Sequence, residues 1–163
     1  MNIILIGFMG SGKSSTARFI SRNYSFRFVD SDRIIEKKLK MSVREIFENF
    51  GENFFRSVER DIISSNLFFC NDCVIATGGG LPCHFNNIEL LKKIGWVFYL
   101  KLSFEDIINR VKNKKNRPLL DNIEEARSLF DKRASCYKNA HFIIDASRNT
   151  EEIARDIIFK ISS

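Results

Sequence analysis

The amino-acid sequence predicts an α/β fold in which a parallel β-sheet is flanked by helices. Short apolar β-type runs alternate along the chain with longer segments of helical pattern. Each run is continuous in its apolar character, which is typical of strands buried on both faces of a parallel sheet. The predicted strands are Ile3–Ile6, Phe26–Val29, Val74–Ala76, Val97–Leu100 and Phe142–Ile144.

Helical segments separate these strands. They are predicted at Ser14–Tyr24, Glu52–Phe69, Phe104–Val111, Ile123–Tyr137 and Glu151–Ile161. Ile34–Phe69 is too long for one crossover helix and is interrupted at Met41-Ser42 and Gly51, so we expect a helical insert over residues 33–69. Lys112–Asn122 is polar, basic and contains proline, which indicates a loop. Loops of this length in compact domains are often lids, so we expect a lid over residues 112–122.

Length and composition indicate one folded domain. The chain has 163 residues, and we expect residues 1–163 to form a single domain. Apolar residues make up 44% of the chain and include 16 Phe, which is enough for a packed core and excludes a disordered chain. The formal net charge of +6 favours anionic partners, and charge alone leaves nucleotide phosphates, a carboxylate and nucleic acid open.

The sequence carries no sign of export or membrane insertion. The first apolar run lacks a basic leader and ends at Gly7, and no segment approaches the roughly 20 apolar residues of a spanning helix. We therefore expect a cytoplasmic protein without a membrane partner. The four cysteines are Cys70, Cys73, Cys83 and Cys136. We expect thiols, because the cytoplasm is reducing. No spacing among them, with His84 included, matches a standard zinc module.

The stretch Gly7–Ser14 reads GFMGSGKS and fits the phosphate-binding pattern G-x-x-x-x-G-K-[ST]. Its glycines let backbone N–H groups converge on phosphate oxygens, and the following helix adds the positive end of its dipole. In such a loop Lys13 reaches the β- and γ-phosphates and Ser14 offers an oxygen to Mg²⁺. The flanking strand and helix favour this interpretation over a tight turn. Ser15 stands where a dinucleotide-binding loop has its third glycine, which excludes that class.

Two acids follow the second predicted strand, in the stretch Phe28-Val29-Asp30-Ser31-Asp32. Residues two apart in a strand share a face, so we expect Asp30 and Asp32 to point the same way at the carboxyl edge of the sheet, where ligands bind. There the two carboxylates could serve Mg²⁺ and a hydroxyl acceptor. Helix capping by Asp30 or Ser31 is the alternative, and it does not account for both acids.

A glycine triplet, Gly78–Gly80, follows the third predicted strand. A turn usually needs one or two glycines, so three favour a ligand lying directly on the backbone over a plain turn. Arg56 lies on an apolar helix face with Glu59 at i+3, within reach of an ion pair that is either structural or functional. Asp145 ends the last apolar run as a Walker-B aspartate does, but we expect it far from Lys13, as a capping or turn residue.

These motifs resemble, in order and spacing, those of the shikimate kinase family over essentially the whole chain. The matching pieces are GFMGSGKS at 7–14, DSD at 30–32, GENFFRSVE at 51–59, TGGG at 77–80, RPLL at 117–120 and KRASCY at 132–137. The resemblance implies a three-layer P-loop fold of the nucleoside-monophosphate-kinase type with a five-stranded parallel sheet. It also implies transfer of the γ-phosphate of ATP to the 3-hydroxyl of shikimate, in the pathway to chorismate and the aromatic amino acids.

The resemblance implies roles on the ATP side of the site. Asp32, Lys13 and Arg117 are the implied catalytic residues: Asp32 holds and activates the shikimate hydroxyl, and Arg117 reaches the ATP phosphates from the lid. Arg110 is implied to stack on the adenine. The implied ATP site comprises Gly10, Ser11, Gly12, Lys13, Ser14, Ser15, Arg110 and Arg117, and the implied Mg²⁺ ligands are Ser14 and, through water, Asp30.

On the acceptor side, the resemblance implies that Arg56 and Arg133 clamp the shikimate carboxylate, with Glu59 orienting Arg56. Phe47 and Phe55 correspond to the apolar wall of the pocket, and the glycine triplet corresponds to the turn that contacts the substrate. The implied shikimate site comprises Asp32, Phe47, Phe55, Arg56, Glu59, Gly78, Gly79, Gly80 and Arg133.

The sequence departs from the family pattern in two places. Ser135-Cys136 stands where the family usually has Pro-Leu. The stretch Arg148–Thr150 lacks a proline that is often found there. The first departure falls in the helix that carries Arg133, and the second falls in the loop expected near the adenine.

Two other functions compete with this interpretation. One is a different small P-loop kinase, for gluconate or a nucleoside monophosphate. Arg56 and Arg133 favour a carboxylate acceptor, and no guanidinium cluster has nucleotide-kinase spacing. The other is a non-catalytic nucleotide-binding module, against which the intact phosphate loop and paired acids argue. No aromatic-basic RNA motif is visible, so we expect no nucleic-acid partner, and we expect a monomer.

Overall fold

The computed structural model describes residues 1–67, 69–113 and 122–162. Its strands are β1 (Ile3–Ile6), β2 (Arg27–Asp30), β3 (Cys73–Ala76), β4 (Trp96–Lys101) and β5 (Phe142–Asp145). They form one parallel sheet in the order β2-β3-β1-β4-β5, flanked by helices. The predicted α/β fold with a five-stranded parallel sheet is therefore confirmed, with each strand end within one residue of its predicted place.

The α-helices of the described residues are α1 (Lys13–Asn23), α2 (Ser31–Leu39), α3 (Val43–Ile62), α4 (Asn87–Ile94), α5 (Phe104–Lys112), α6 (Ile123–Tyr137) and α7 (Thr150–Ser162). A π-helical turn at Ile63–Leu67 extends α3, and a short 3₁₀ helix covers Leu81–Cys83. α4 was not predicted, because it has only 8 residues and its N-cap, Asn86, makes no side-chain capping bond. None of these helices is long and apolar enough to cross a membrane.

The position of each strand in the sheet determines how deeply it is buried. β1 and β3 are buried throughout, and β4 is exposed only at its two ends. β2 and β5 lie at the edges of the sheet, and neither is buried along its whole length. The prediction that all the strands are buried on both faces was therefore wrong for β2 and β5. An edge strand has a neighbouring strand on one side only, so solvent reaches its other side.

Local signals define the segment predicted as a helical insert. α2 is followed by Lys40 in the left-handed conformation. Ser42 then starts α3 with a capping box: its side chain accepts from the Glu45 N–H, and the Glu45 carboxylate accepts from the Ser42 N–H. Gly51, with a φ of 81°, kinks α3. Both predicted interruptions of this helical segment are confirmed.

Arg117 and residues 114–121 of the predicted lid lie outside the described residues. On one side of this segment the structure describes α5 with its C-cap, Asn113. On the other side it describes α6, whose N-cap Asn122 accepts from the Glu125 N–H. The lid and the role of Arg117 stay predictions.

A buried asparagine joins three elements at the amino edge of the sheet. The Nδ2 of Asn2 donates to the carbonyl oxygens of Cys70 at 2.8 Å and Ile94 at 3.0 Å. Its Oδ1 accepts from the Cys73 N–H at 3.0 Å. Asn2 therefore ties the start of β1 to the start of β3 and to the end of α4.

Replacing Asn2 with alanine is expected to lower the free energy of unfolding by about 1–3 kcal/mol, because buried backbone groups of three segments lose their partner. Urea denaturation followed by circular dichroism measures the change. Asn23→Ala is the matched control, since it removes one exposed bond to the Phe19 carbonyl and should change the free energy by less than about 0.5 kcal/mol. Equal effects of the two substitutions would contradict the role assigned to Asn2.

Candidate active site

The phosphate-binding loop connects β1 to α1 at the carboxyl edge of the sheet. Gly7, Gly10 and Gly12 have φ values of 144°, 80° and 94°, in the range that favours glycine. A Cβ at Gly7 would also lie 2.8 Å from the Leu100 carbonyl oxygen. α1 begins directly after Gly12, so the positive end of its dipole lies at the loop. The loop lines a cleft of about 720 Å³ and has the construction of an anion site.

Lys13 brings a positive charge into this loop. Its side chain is buried, and Nζ donates to the carbonyl oxygens of Gly7 at 2.7 Å and Phe8 at 2.9 Å. The Ser11 hydroxyl is also buried and has no hydrogen-bond partner among the described residues. The loop therefore offers a fixed ammonium and a buried hydroxyl to a ligand that reaches it.

Asp30 serves two neighbours at once. Its Oδ1 accepts from the N–H groups of Asp32 at 3.0 Å and Arg33 at 3.3 Å, which caps α2. Its Oδ2 accepts from the Ser14 hydroxyl at 3.5 Å. Asp30 therefore both caps α2 and lies beside the phosphate loop. Hydroxyl and carboxylate oxygens are ligands that Mg²⁺ prefers, so this pair fits a magnesium site.

Asp32 lies in the first turn of α2 and not on β2. The expectation that Asp30 and Asp32 share the face of a strand was wrong, because the chain turns into a helix at Ser31. Both carboxylates still line the same cleft. They do so because α2 begins directly at the carboxyl end of β2.

Two carboxylates are buried beside the glycine turn, Gly78–Gly80. A Cβ at Gly78 would lie 2.5 Å from Asp32 Oδ1 and 3.3 Å from Glu59 Oε1. Neither oxygen has a hydrogen-bond partner among the described residues. Burial raises the pKa of Asp32 to about 6, and repulsion from Asp30 adds to this. Burial likewise raises the pKa of Glu59 to about 7.

Two arginines from different helices reach the same turn. Arg56 of α3 is 6% exposed, and both of its Nη atoms would lie 2.5 Å from a Cβ at Gly80. Arg133 of α6 is 8% exposed, and its Nη1 would lie 3.3 Å from a Cβ at Gly79. Glu59 Oε2 accepts from Arg56 Nη1 at 2.7 Å and fixes that guanidinium. Two positioned cations thus face one short stretch of backbone.

The wall beside Arg56 is aromatic. The ring centroids of Phe47 and Phe55 lie 4.7 Å apart. The Cζ of Arg56 lies 5.9 Å from the centroid of Phe47 and 5.4 Å from that of Phe55. These cation–π contacts add to the hydrogen bond from Glu59 in restraining the guanidinium.

The glycine turn has no side chains of its own and is held through its backbone. The buried Ser31 hydroxyl accepts from the Gly78 N–H at 2.8 Å, and the buried Tyr137 hydroxyl donates to the Gly79 carbonyl at 2.7 Å. Neither residue was among the predicted site residues. Ser31 lies between the paired acids and Tyr137 ends the KRASCY motif, so each lay within a recognised motif. A hydrogen bond between distant segments leaves no local pattern from which its role could be read.

The remaining predicted residues fall in two neighbouring regions. The cleft is lined by the predicted residues Gly10, Ser11, Gly12, Lys13, Ser14, Ser15, Asp30, Asp32, Gly78, Gly79 and Arg110. Phe47, Phe55, Arg56, Glu59, Gly80 and Arg133 gather around the glycine turn. Arg110 Nη2 donates to the Ala146 carbonyl at 2.6 Å. The cleft is also lined by Met9, Thr16, Thr77, Asn113, Arg148, Asn149, Thr150 and Ile153, which were not among the predicted site residues.

Two smaller predictions are also settled. Asp145 Oδ1 accepts from the N–H of Ser147 at 2.9 Å and from its hydroxyl at 2.7 Å, which confirms a turn residue. All four cysteines are free thiols, as expected. Among the described residues, no group of three or more His, Cys, Asp and Glu side chains could hold a metal ion.

The fold and the site define a P-loop kinase. The phosphate loop follows β1, the glycine turn follows the adjacent β3, and the paired acids follow β2 beyond it. Within that class, the chain belongs to the shikimate kinase family. A sequence model of this family, described as "Shikimate kinase", matches residues 9–162.

Relatives and solved structures agree with this membership. A shikimate kinase from Sulfurihydrogenibium sp. (strain YO3AOP1) is 40% identical over 98% of this chain and 97% of its own. A shikimate kinase from Thermodesulfovibrio yellowstonii is 44% identical over 96% of this chain and 92% of its own. The structure of the shikimate kinase from Acinetobacter baumannii in complex with shikimate has a TM-score of 0.90 and 34% identity, and covers 99% of this chain and 92% of that one.

Replacing Asp32 with asparagine is expected to stabilise the fold above neutral pH. The folded protein holds the Asp32 proton more tightly than the unfolded chain, so stability falls as the pH rises from 3.8 to about 6. The free energy of unfolding of the Asp32→Asn variant should exceed that of the wild type by about 1–2 kcal/mol near pH 8 and match it below about pH 4.

Urea denaturation without nucleotide or Mg²⁺ at the two pH values measures this difference. Asp61→Asn, at an exposed position on α3, is the control and should show no such gain. A variant Asp32→Asn with the stability of the wild type at both pH values would mean that this carboxylate is not strained by its burial.

Proposed function

We infer that this protein is an ATP-dependent shikimate kinase, which transfers the γ-phosphate of ATP to the 3-hydroxyl of shikimate and releases shikimate 3-phosphate and ADP. Family membership over nearly the whole chain supports the reaction. The observation that carries the assignment is the convergence of Asp32, Arg56 and Arg133 on one glycine turn beside the phosphate loop. The product continues along the pathway to chorismate and the aromatic amino acids.

On the donor side, the phosphate loop binds the β- and γ-phosphates of ATP. The loop's N–H groups and the positive end of α1 oppose the phosphate charge. Lys13, placed at the loop by its bonds to carbonyl oxygens, offsets charge on the γ-phosphoryl group during transfer. Arg110 lines the same cleft with its Nη2 bound to a backbone carbonyl, and its guanidinium stacks on the adenine.

In this proposal, Mg²⁺ would be held by Ser14 and, through water, by Asp30. The hydrogen bond between these side chains brings two oxygen ligands together, which suits a hard cation. When bound, the ion would neutralise charge on the ATP phosphates. Asp30 also caps α2, so its carboxylate is already oriented by two N–H groups.

Asp32 holds the acceptor hydroxyl. Its Oδ1 is buried beside the glycine turn and has no hydrogen-bond partner among the described residues. With a pKa of about 6, the carboxyl is mostly ionised at neutral pH and accepts a hydrogen bond from the hydroxyl. Because the transition state of phosphoryl transfer is loose, Asp32 contributes more by positioning the acceptor than by removing its proton fully.

Arg56 and Arg133 bind the shikimate carboxylate. A guanidinium meets a carboxylate with two parallel hydrogen bonds, a geometry that lysine does not reproduce. The two arginines come from α3 and α6, so one ligand group joins the helical insert to the C-terminal half of the chain. Glu59 keeps Arg56 in place, and the bare backbone of the glycine turn allows the substrate a close approach.

The segment 112–122 closes over ATP in this proposal, with Arg117 on the phosphates and competing water excluded. Support for this part comes from the likeness of RPLL at 117–120 to the family motif, since residues 114–121 lie outside the described residues. A cytoplasmic location and a monomeric state also stay predictions.

The direct test is a coupled ADP-release assay with shikimate, gluconate and AMP as acceptors. We expect turnover with shikimate. Gluconate is the critical comparison because it also carries a carboxylate. Asp32→Asn should lower kcat by a factor on the order of a hundred or more, with a smaller effect on shikimate binding. Turnover of gluconate or AMP at a rate similar to that of shikimate, or full activity in Asp32→Asn, would refute the assignment.

Removing either arginine of the clamp is expected to weaken shikimate binding by about 2–5 kcal/mol, because the carboxylate stays partly unpaired in a site that excludes water. Arg133→Lys should be nearly as damaging as Arg133→Ala. The effects of Arg56→Ala and Arg133→Ala should be non-additive, because both groups serve one carboxylate. Isothermal titration calorimetry of the single and double variants measures these values.

The neutral amide of shikimate is the control ligand for the clamp. The wild type should bind it poorly, and neither arginine variant should lose much further affinity for it. Arg155→Ala, at an exposed arginine of α7, should change the affinity for neither ligand. If both clamp variants weakened the acid and the amide equally, the two arginines would not bind the carboxylate.

A further inference from the structure

The guanidinium of Arg56 binds two carboxylates of its own helix. Glu59 Oε2 accepts from Nη1 at 2.7 Å. Glu52 Oε1 accepts from both Nε and Nη2, each at 3.2 Å. A carboxylate forms paired hydrogen bonds with a guanidinium along either the Nε–Nη2 edge or the Nη1–Nη2 edge. Glu52 thus occupies the first edge, and Glu59 takes one nitrogen of the second.

The two glutamates differ in how freely they can move. The Glu59 side chain is 1% exposed and is enclosed by Arg56 and the glycine turn. The Glu52 side chain is 57% exposed, and its bonds to Arg56 are longer. Only the carboxylate side of this i,i+4 ion pair is exposed, and water solvates the carboxylate well once it leaves Arg56. An incoming carboxylate can therefore displace Glu52 into solvent but not Glu59.

The backbone places Glu52 against Arg56. Glu52 follows the kink at Gly51 directly, so it begins the second half of α3, and Arg56 lies one helical turn further along. His84 also lies near Glu52, with its Nε2 3.9 Å from Glu52 Oε1. Burial and the nearby Arg56 lower the pKa of His84, which disfavours a charged imidazole beside Glu52.

We propose that Glu52 is a specificity-determining residue. It occupies the edge of the Arg56 guanidinium that the substrate carboxylate takes. Only an anion with enough affinity to displace Glu52 can bind there. This rests on the proposed function, in which Arg56 binds that carboxylate. A carboxylate that also reaches Arg133 gains enough interactions to replace Glu52. A simple anion that meets Arg56 alone gains no more than the bonds it breaks.

The Glu52→Gln variant tests this, because it keeps the size of the side chain and removes its charge. We expect the KM for shikimate to fall roughly two- to fivefold, the effect of losing one competing ion pair whose carboxylate is exposed to solvent. kcat and the KM for ATP should stay unchanged, since the ion pairs of Glu52 among the described residues are with Arg56 and His84. Acetate should inhibit the variant at correspondingly lower concentrations, in competition with shikimate.

Glu48→Gln is the matched control. Glu48 lies on the same helix and pairs with Arg44 at i,i+4 in an exposed ion pair, away from Arg56. The Glu48→Gln substitution removes the same charge and should leave the KM for shikimate unchanged. An equal fall in both variants would show a general charge effect and overturn the proposal. An unchanged or raised KM in Glu52→Gln would overturn it as well, because Glu52 would then not compete with the substrate.

Arg56→Ala separates this proposal from the proposed function. If Arg56→Ala raises the KM for shikimate while Glu52→Gln fails to lower it, the clamp stands and the role of Glu52 is wrong. If Arg56→Ala leaves that KM unchanged, the clamp itself is wrong, and the role of Glu52 with it. Circular dichroism of each variant confirms that the changes in KM come from folded protein.

Discussion

The lack of space for a side chain at Gly78 and Gly80 is the constraint on which the site depends. A methyl group at Gly78 would collide with the Asp32 carboxylate, and one at Gly80 would collide with the Arg56 guanidinium, both at 2.5 Å. A carboxylate from α2 and a guanidinium from α3 therefore approach the same bare backbone. Ser31 and Tyr137 hold that backbone through two hydrogen bonds to its peptide groups, and Glu59 fixes the Arg56 guanidinium beside it.

Burial of these charged groups gives the site its chemistry and also destabilises the fold. The raised pKa values of Asp32 and Glu59 mean that their ionised forms are less favourable in the folded protein than in water. The attraction between Glu59 and Arg56 offsets part of that penalty, but Oδ1 of Asp32 has no donor among the described residues. The buried strands β1 and β3 provide the apolar packing that keeps such a site folded.

Local patterns predicted the strands and the phosphate loop because their signals lie within a few neighbouring residues, as in Gly7–Ser14. Motif order over the whole chain also predicted the family. It was harder to predict which element carries each site residue and which residues contact each other. Asp32 was expected on a strand, since i,i+2 spacing does not reveal that a helix starts at Ser31. Tyr137 and Ser31 went unnoticed because their partners are backbone groups 58 and 47 residues away.

The order of the strands has a mechanical consequence. β1 and β3 are adjacent, with Leu5 opposite Ala76, so the phosphate loop and the glycine turn leave the sheet side by side. Neighbouring strands lie about 4.8 Å apart, a separation set by backbone hydrogen bonds. The spacing between the phosphate loop and the glycine turn is thus fixed by the hydrogen bonds of the sheet. The sequences of α2 and α3 can therefore change to fit a differently shaped alcohol, while the spacing set by β1 and β3 stays the same.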